Sequence, residues 1–212
     1  MSKSNKYGYS GVDIPTQAFG DNVGKFDPAE INELVQEDKY TNYGQLELIE
    51  TQNITGVSST TFSSLGDYNV HFLTVNDFQP IQDGTDLRIR FLSNGTEYTS
   101  NYQRALQYGY STGTNGEEKS TSGDYFRAVF NTGSGTNEKG NSYTYLYNLT
   151  DSTKYNFATQ HSVVVGAETH PTMKYMFGSY VQTSAVSMDT IKLYNVYNNV
   201  EADISLYGIR YS

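Results

Sequence analysis

From Gln45 onward apolar and polar residues alternate with a period of two, the pattern of half-buried strands. "DLRIRFL" sets Leu87, Ile89 and Phe91 on one face and Arg88 and Arg90 on the other. "DYNVHFLTV" sets Tyr68, Val70 and Phe72 against Asn69, His71 and, in part, Thr74. "QLELIET" reads as the first strand. Asn94-Gly95, between strand-like segments, predicts a two-residue hairpin, because both residues tolerate the positive φ such a turn demands. Further strands are expected at "NYQRALQYGY", "DYFRAVF", "SYTYLYNL", "KYNFA", "SVVVG", "MKYMFGSYV", "TIKLYNVY" and "ADISLYGIRY". About eleven short strands separated by turn signals predict an all-β fold, an antiparallel two-sheet sandwich of jelly-roll or lectin-like type. Two Gly/Ser/Asn/Thr-rich stretches, residues 111–123 and 131–142, read as surface loops.

The head of the chain breaks this rhythm. Residues 1–26 keep neither period and carry Pro15 and several glycines, yet Tyr7, Tyr9, Val12, Ile14, Phe19, Val23 and Phe26 recur through them. Such an arm cannot order itself by its own burial. Its spaced apolar side chains suggest ordering against another surface, the alternatives being a loose tail or a strand wrapped on its own domain. "DPAEINELVQED" follows, with Asp27 as N-cap, Pro28 at the first helical position and Glu30 as the carboxylate of a capping box. Ile31, Leu34 and Val35 form one apolar stripe, which full burial would stabilise by roughly 5–8 kcal/mol. A helix this short is marginal alone in water and must dock, on its own sandwich or on another subunit. Two parts are therefore expected: an arm with a capped helix over residues 1–43 and a β-sandwich over 44–212.

Composition narrows the function classes. A net charge of −9, with 14 Lys and Arg spread along 212 residues, disfavours nucleic acid and anionic membrane surfaces. The absence of cysteine removes disulfides, thiolate metal sites and thiol nucleophiles. "MSKSNKYGYSG" has no apolar stretch behind its lysines, so no secretory signal is expected, and the sequons at Asn53, Asn94 and Asn148 then carry no glycan. Twenty Tyr without Trp, together with abundant Gly, Asn, Ser and Thr, favour pleated surfaces and turns.

No catalytic constellation, cofactor motif or metal site stands out, and an enzyme is not expected. His71, His161 and His170 are far apart and outside zinc-ligand spacing. Asp83 and Asp86 in "QDGTD" lack the acidic ladder of a calcium loop and read as a turn. Glu117-Glu118 falls in a predicted loop, a poor mount for a glycosidase pair, and Ser134 lacks the strand-to-helix context of a nucleophile elbow. The tyrosines suit cross-strand packing and subunit interfaces; a sugar-binding surface, placed on the 111–123 and 131–142 loops, is the competing reading.

"GQLELIETQNITGVSSTTFSSLGDYNVHFLTVNDFQP", "DLRIRFLSNGTEYTSNYQRALQYGY" and the closing "SLYGIRYS" resemble a β-sandwich module of tailed-bacteriophage structural proteins, marine ones especially. The resemblance spans residues 44–212 and is one of layout rather than of an active site. The N-terminal arm is similar to segments by which virion proteins attach to a neighbour, which makes Tyr9, Ile14, Phe19, Phe26, Ile31, Leu34 and Val35 the candidate attachment residues. The resemblance implies a virion structural protein, assembled in the host cytoplasm and displayed as a capsid decoration or tail-associated appendage. It also implies a homo-oligomer, a trimer, contacting other capsid or tail proteins. The alternative is a receptor- or glycan-binding module of a tail fibre, with a host surface glycan as partner.

Overall fold

The alternating segments build two antiparallel sheets. The computed structural model describes residues 28–36, 46–166, 171–197 and 199–209. The larger sheet runs in the order β1 (Leu46–Val57), β13 (Val200–Ile209), β3 (Val70–Pro80), β9 (Gly140–Tyr147), β10 (Asn156–Gly166), β11 (Thr172–Gln182), β6 (Tyr102–Tyr110) and β7 (Asn115–Gly123). The smaller runs β2 (Ser59–Phe62), β12 (Thr190–Tyr194) and β4 (Thr85–Ser93). The far edge of β4 is shared by β8 (Phe126–Thr132), which pairs with Thr85 to Ile89, and β5 (Thr96–Glu97), which pairs with Leu92 and Ser93.

Burying one face of each sheet against the other makes the core. Leu73, Val75, Leu146, Met176, Ile204 and Leu206 from the larger sheet meet Phe62, Leu87, Ile89, Phe91, Phe126 and Leu193 from the smaller. The expected inward set Leu87, Ile89 and Phe91 is buried as its alternation predicts. The Asn94-Gly95 hairpin also forms: both residues have positive φ, 49° and 77°, and Ser93 pairs with Thr96 across them. Gly208 of the closing "LYGI" string is needed for a different reason. A Cβ there would stand 2.5 Å from the ring of Tyr68, which lies on this glycine and donates to Glu47 at 2.7 Å.

Three readings need correction. Strand β3 turns Leu73 and Val75 inward, with Phe72 half-exposed on the opposite face. His71 follows the inward set and is fully buried, its Nε2 2.8 Å from the Leu65 carbonyl oxygen. Burial lowers its pKa, only partly opposed by that hydrogen bond. Residues 115–123 are not a loop but strand β7, whose polar side chains suit an exposed sheet edge. "KYNFA" and "SVVVG" are one continuous strand, β10, paired along its length with β11.

The chain falls into two units, Met1–Tyr43 and Gly44–Tyr211. In the first, α1 spans Pro28–Gln36, where the proline and capping signals place it, and Ile31 is half-buried. Tyr9, Ile14, Phe19 and Phe26, and the side chains of Leu34 and Val35, lie outside the described residues.

Candidate functional site

A strand period of two leaves a second face on the larger sheet, and this face is aromatic. On β9 the buried residues Thr144 and Leu146 alternate with Tyr143, Tyr145 and Tyr147. On β11 Met176 is buried between Tyr175 and Phe177. Strand pairing then aligns these residues across the sheet. One row reads Tyr207, Phe72, Tyr145, Thr159, Ser179 and Ala105. The next reads Ser205, Thr74, Tyr143, His161, Phe177 and Gln107.

The rings touch in one continuous network. Phe72 lies 4.8 Å from Tyr145 and 6.2 Å from both Tyr143 and Tyr207, centroid to centroid. Tyr143 meets His161 edge-on at 5.6 Å, with its hydroxyl 3.3 Å from the imidazole Nδ1. His161 reaches Phe177 at 6.4 Å, and Phe177 lies nearly parallel to Tyr175, 12° apart in plane and 6.1 Å apart in centre. These spacings are those of favourable aromatic pairs, so the rings hold one another in place while their outer surfaces stay open. Tyr143 remains 43% exposed, Phe177 44% and neighbouring Val163 47%.

Two overlapping grooves follow the rows. One, of about 370 Å³, lies between Phe72, Thr74, Asn141, Tyr143, His161 and Val163; the other, about 560 Å³, between Tyr145, Tyr147, Thr159, His161, Phe177 and Ser179. Neither is lined by Asp, Glu, Lys or Arg. A third depression, sharing Phe177 and Gly178, continues over β6 to Glu117 and Lys119 on the edge strand. Formal charge thus begins at the rim.

The outer face of the smaller sheet has the opposite character. Arg88 stacks 4.0 Å over the Tyr125 ring, while Arg90 and Lys192 lie 4.8 Å and 5.6 Å over Tyr194. Glu97 bridges Arg90 at 2.9 Å and Lys192 at 2.7 Å. Burial works to raise the Glu97 carboxyl, but the two cations outweigh it and hold it below its ordinary value. Where β7 and β8 meet, Arg127 is almost wholly buried and pairs with Asp86 at 2.9 Å and with Glu118, which Arg104 also holds at 2.6 Å. Burial alone would raise Glu118 too; Arg127 and Arg104 depress it instead. Every charge in this cluster is answered by an opposite one, so it is a structural clamp between β7, β8 and β4.

The chain matches no family model, no curated protein and no solved structure.

The residues weighed as chemistry in the sequence fall into place individually. Asp83 accepts from the Ser134 amide at 2.7 Å and hydroxyl at 2.9 Å, and Asp86 from the Asn131 amide and Arg127, so the "QDGTD" carboxylates brace a turn. Glu117 and Glu118 point to opposite sides of β7, with Glu118 engaged in the clamp. His71 is in the core and His161 in the aromatic face, while His170 lies outside the described residues. No group of three or more His, Cys, Asp or Glu is gathered among the described residues.

The stretches weighed for sugar binding, residues 111–123 and 131–142, border the rings rather than carry them: Glu117 and Lys119 line the depression that shares Phe177, Asn141 lines the groove beside Tyr143, and Asn115 accepts from the Tyr175 hydroxyl at 3.3 Å. The aromatic face escaped the sequence reading, although its signal was present: Tyr143, Tyr145 and Tyr147 stand two apart, as do Tyr175 and Phe177. That spacing puts each set on one face without saying which face is the core.

Proposed function

We propose that this chain is a structural display protein of a tailed-bacteriophage virion, carried as a capsid decoration or tail-associated appendage. Its N-terminal segment attaches it to a capsid or tail protein, and its sandwich presents a recognition face outward. The supporting sequence observation is the resemblance of residues 44–212 to virion β-sandwich modules, preceded by a segment with its own capped helix.

The structural observation that carries the reading is the open aromatic face on one side of the larger sheet. Contiguous exposed apolar patches of this kind mark interaction surfaces, and a broad, shallow face serves adhesion better than turnover of a small enclosed substrate. Assembly as a trimer would present several such faces from one particle site and raise avidity without new contacts.

Deleting residues 1–38 tests the attachment role. The truncated chain is expected to keep its β-type circular dichroism and cooperative melting but to be absent from purified particles. A truncated protein that still joins particles refutes attachment by this segment, and particles that never contain the full chain refute the virion reading.

A further inference from the structure

We propose that the aromatic face of the larger sheet is a binding cleft for an uncharged, extended oligosaccharide chain. This deepens the display reading by naming the class of partner, and it rests on that reading only for its biological setting.

Charge is the first argument. In a chain with a net charge of −9, the two aligned rows from β3 to β6 carry no Asp, Glu, Lys or Arg. An anionic ligand would find no cation to neutralise it there, and a cationic ligand no carboxylate. The charged groups Asp77, Glu117 and Lys119 stand at the ends of the face. A neutral partner fits this distribution.

The alternation of chemistry is the second. Rings are interleaved with short hydroxyl and amide side chains: Thr74 beside Tyr143, Thr159 beside Tyr145, and Gln107 beside Phe177. A sugar ring presents an apolar face of C–H groups and a rim of hydroxyls. The first covers an aromatic ring, and the second supplies donors and acceptors to the neighbouring polar groups. An apolar protein partner, or a second copy docking ring on ring, would instead leave those polar groups buried without partners, which costs about 1–3 kcal/mol each.

Shape is the third. The depressions join end to end across the strands rather than along one, sharing His161 and Phe177 as links. From β3 to β6 there are four inter-strand steps of about 4.8 Å, giving an uncharged trough of about 19 Å. That length suits a chain of several sugars better than a single one.

The full-length protein is screened against immobilised neutral oligosaccharides built from hexoses, N-acetylhexosamines and deoxyhexoses, with heparin as an anionic comparison. Binding to at least one neutral chain is expected, with affinity rising with chain length and changing less than about twofold when salt is raised from about 50 to about 500 mM. Tyr143→Ser and Phe177→Ser each weaken it by about tenfold or more, with β-type circular dichroism and cooperative melting retained because neither side chain belongs to the core. Tyr197→Ser, also exposed but in the segment after β12 of the smaller sheet, leaves it unchanged. Absence of binding to every neutral chain overturns the proposal. So does binding confined to heparin and lost in salt, or binding insensitive to Phe177→Ser. If Phe177→Ser instead dissolves an oligomer while no sugar binds, the face is a subunit interface and the proposal falls. A subunit interface would also remove the recognition face from the display reading, whereas membership of the particle is decided separately by incorporation.

Discussion

Replacing Tyr102 by phenylalanine removes one oxygen from the middle of the sandwich. On its far edge β4 is paired with β8 as far as Ile89 and with β5 from Leu92, so Phe91 falls in the gap between two partner strands. The gap is closed from the opposite sheet: the Phe91 amide donates to the Tyr102 hydroxyl at 2.9 Å, and both residues are fully buried. Burial pushes the Tyr102 phenol well above its ordinary pKa, so the hydroxyl stays neutral at any ordinary pH. Tyr102→Phe keeps the ring and its contacts with Phe91 at 6.1 Å and Phe126 at 5.0 Å. What it loses is the acceptor, leaving a buried N–H unsatisfied at a cost of about 1–3 kcal/mol. For a domain of this size about 2 kcal/mol corresponds to a fall in melting temperature of about 4–8 °C. Urea unfolding of the variant and the parent, followed by circular dichroism and tyrosine fluorescence, measures the difference, with the slope against urea unchanged. A loss below about 0.5 kcal/mol, the size of an ordinary surface substitution, would refute the claim that this hydroxyl satisfies the break in β4.

Two further expectations concern charge. Arg127→Met removes the cation shared by Asp86 and Glu118 and should cost about 3–5 kcal/mol in urea unfolding, part of which Glu118→Gln in the same chain restores; an effect below about 1 kcal/mol would mean the clamp is not a stabilising unit. The melting temperature should fall as pH drops from neutral to about 4. His71 has a folded-state pKa below its ordinary 6.5, so the unfolded chain binds its proton first and stability declines once pH passes below that value. Glu118 and Glu97 are depressed below 4.5, so their contribution is present above that pH and is lost as pH falls through the depressed values. Both effects have the same sign, and a flat profile across this range would contradict them.

The strand content, the hairpin at Asn94-Gly95, the inward set of β4 and the position of α1 were all legible in the sequence. Each depends on local chemistry, whether a turn that needs positive φ, a proline suited to the first helical position, or a strand with charge on one side only. Strand β7 was not legible. "NGEEKSTSG" has no apolar side and becomes a strand because the edge of β6 offers backbone partners while Arg104 and Arg127 hold Glu118. Strand β3 was ambiguous, since it carries apolar groups on both faces, and pairing with β9 and β13 decided that Phe72 looks outward and His71 inward.

By itself, the sequence determined that this chain makes an antiparallel β-sandwich preceded by the helix α1, because spacing and turn chemistry act over a few residues. Only the tertiary structure decided which aromatic residues became core and which became surface. A period of two sorts side chains into two sets, and the choice between them is made by strands distant in the sequence. The same pairing brought residues as far apart as Phe72, Tyr143, His161 and Phe177 into one uncharged face, an assembly that no single segment encodes.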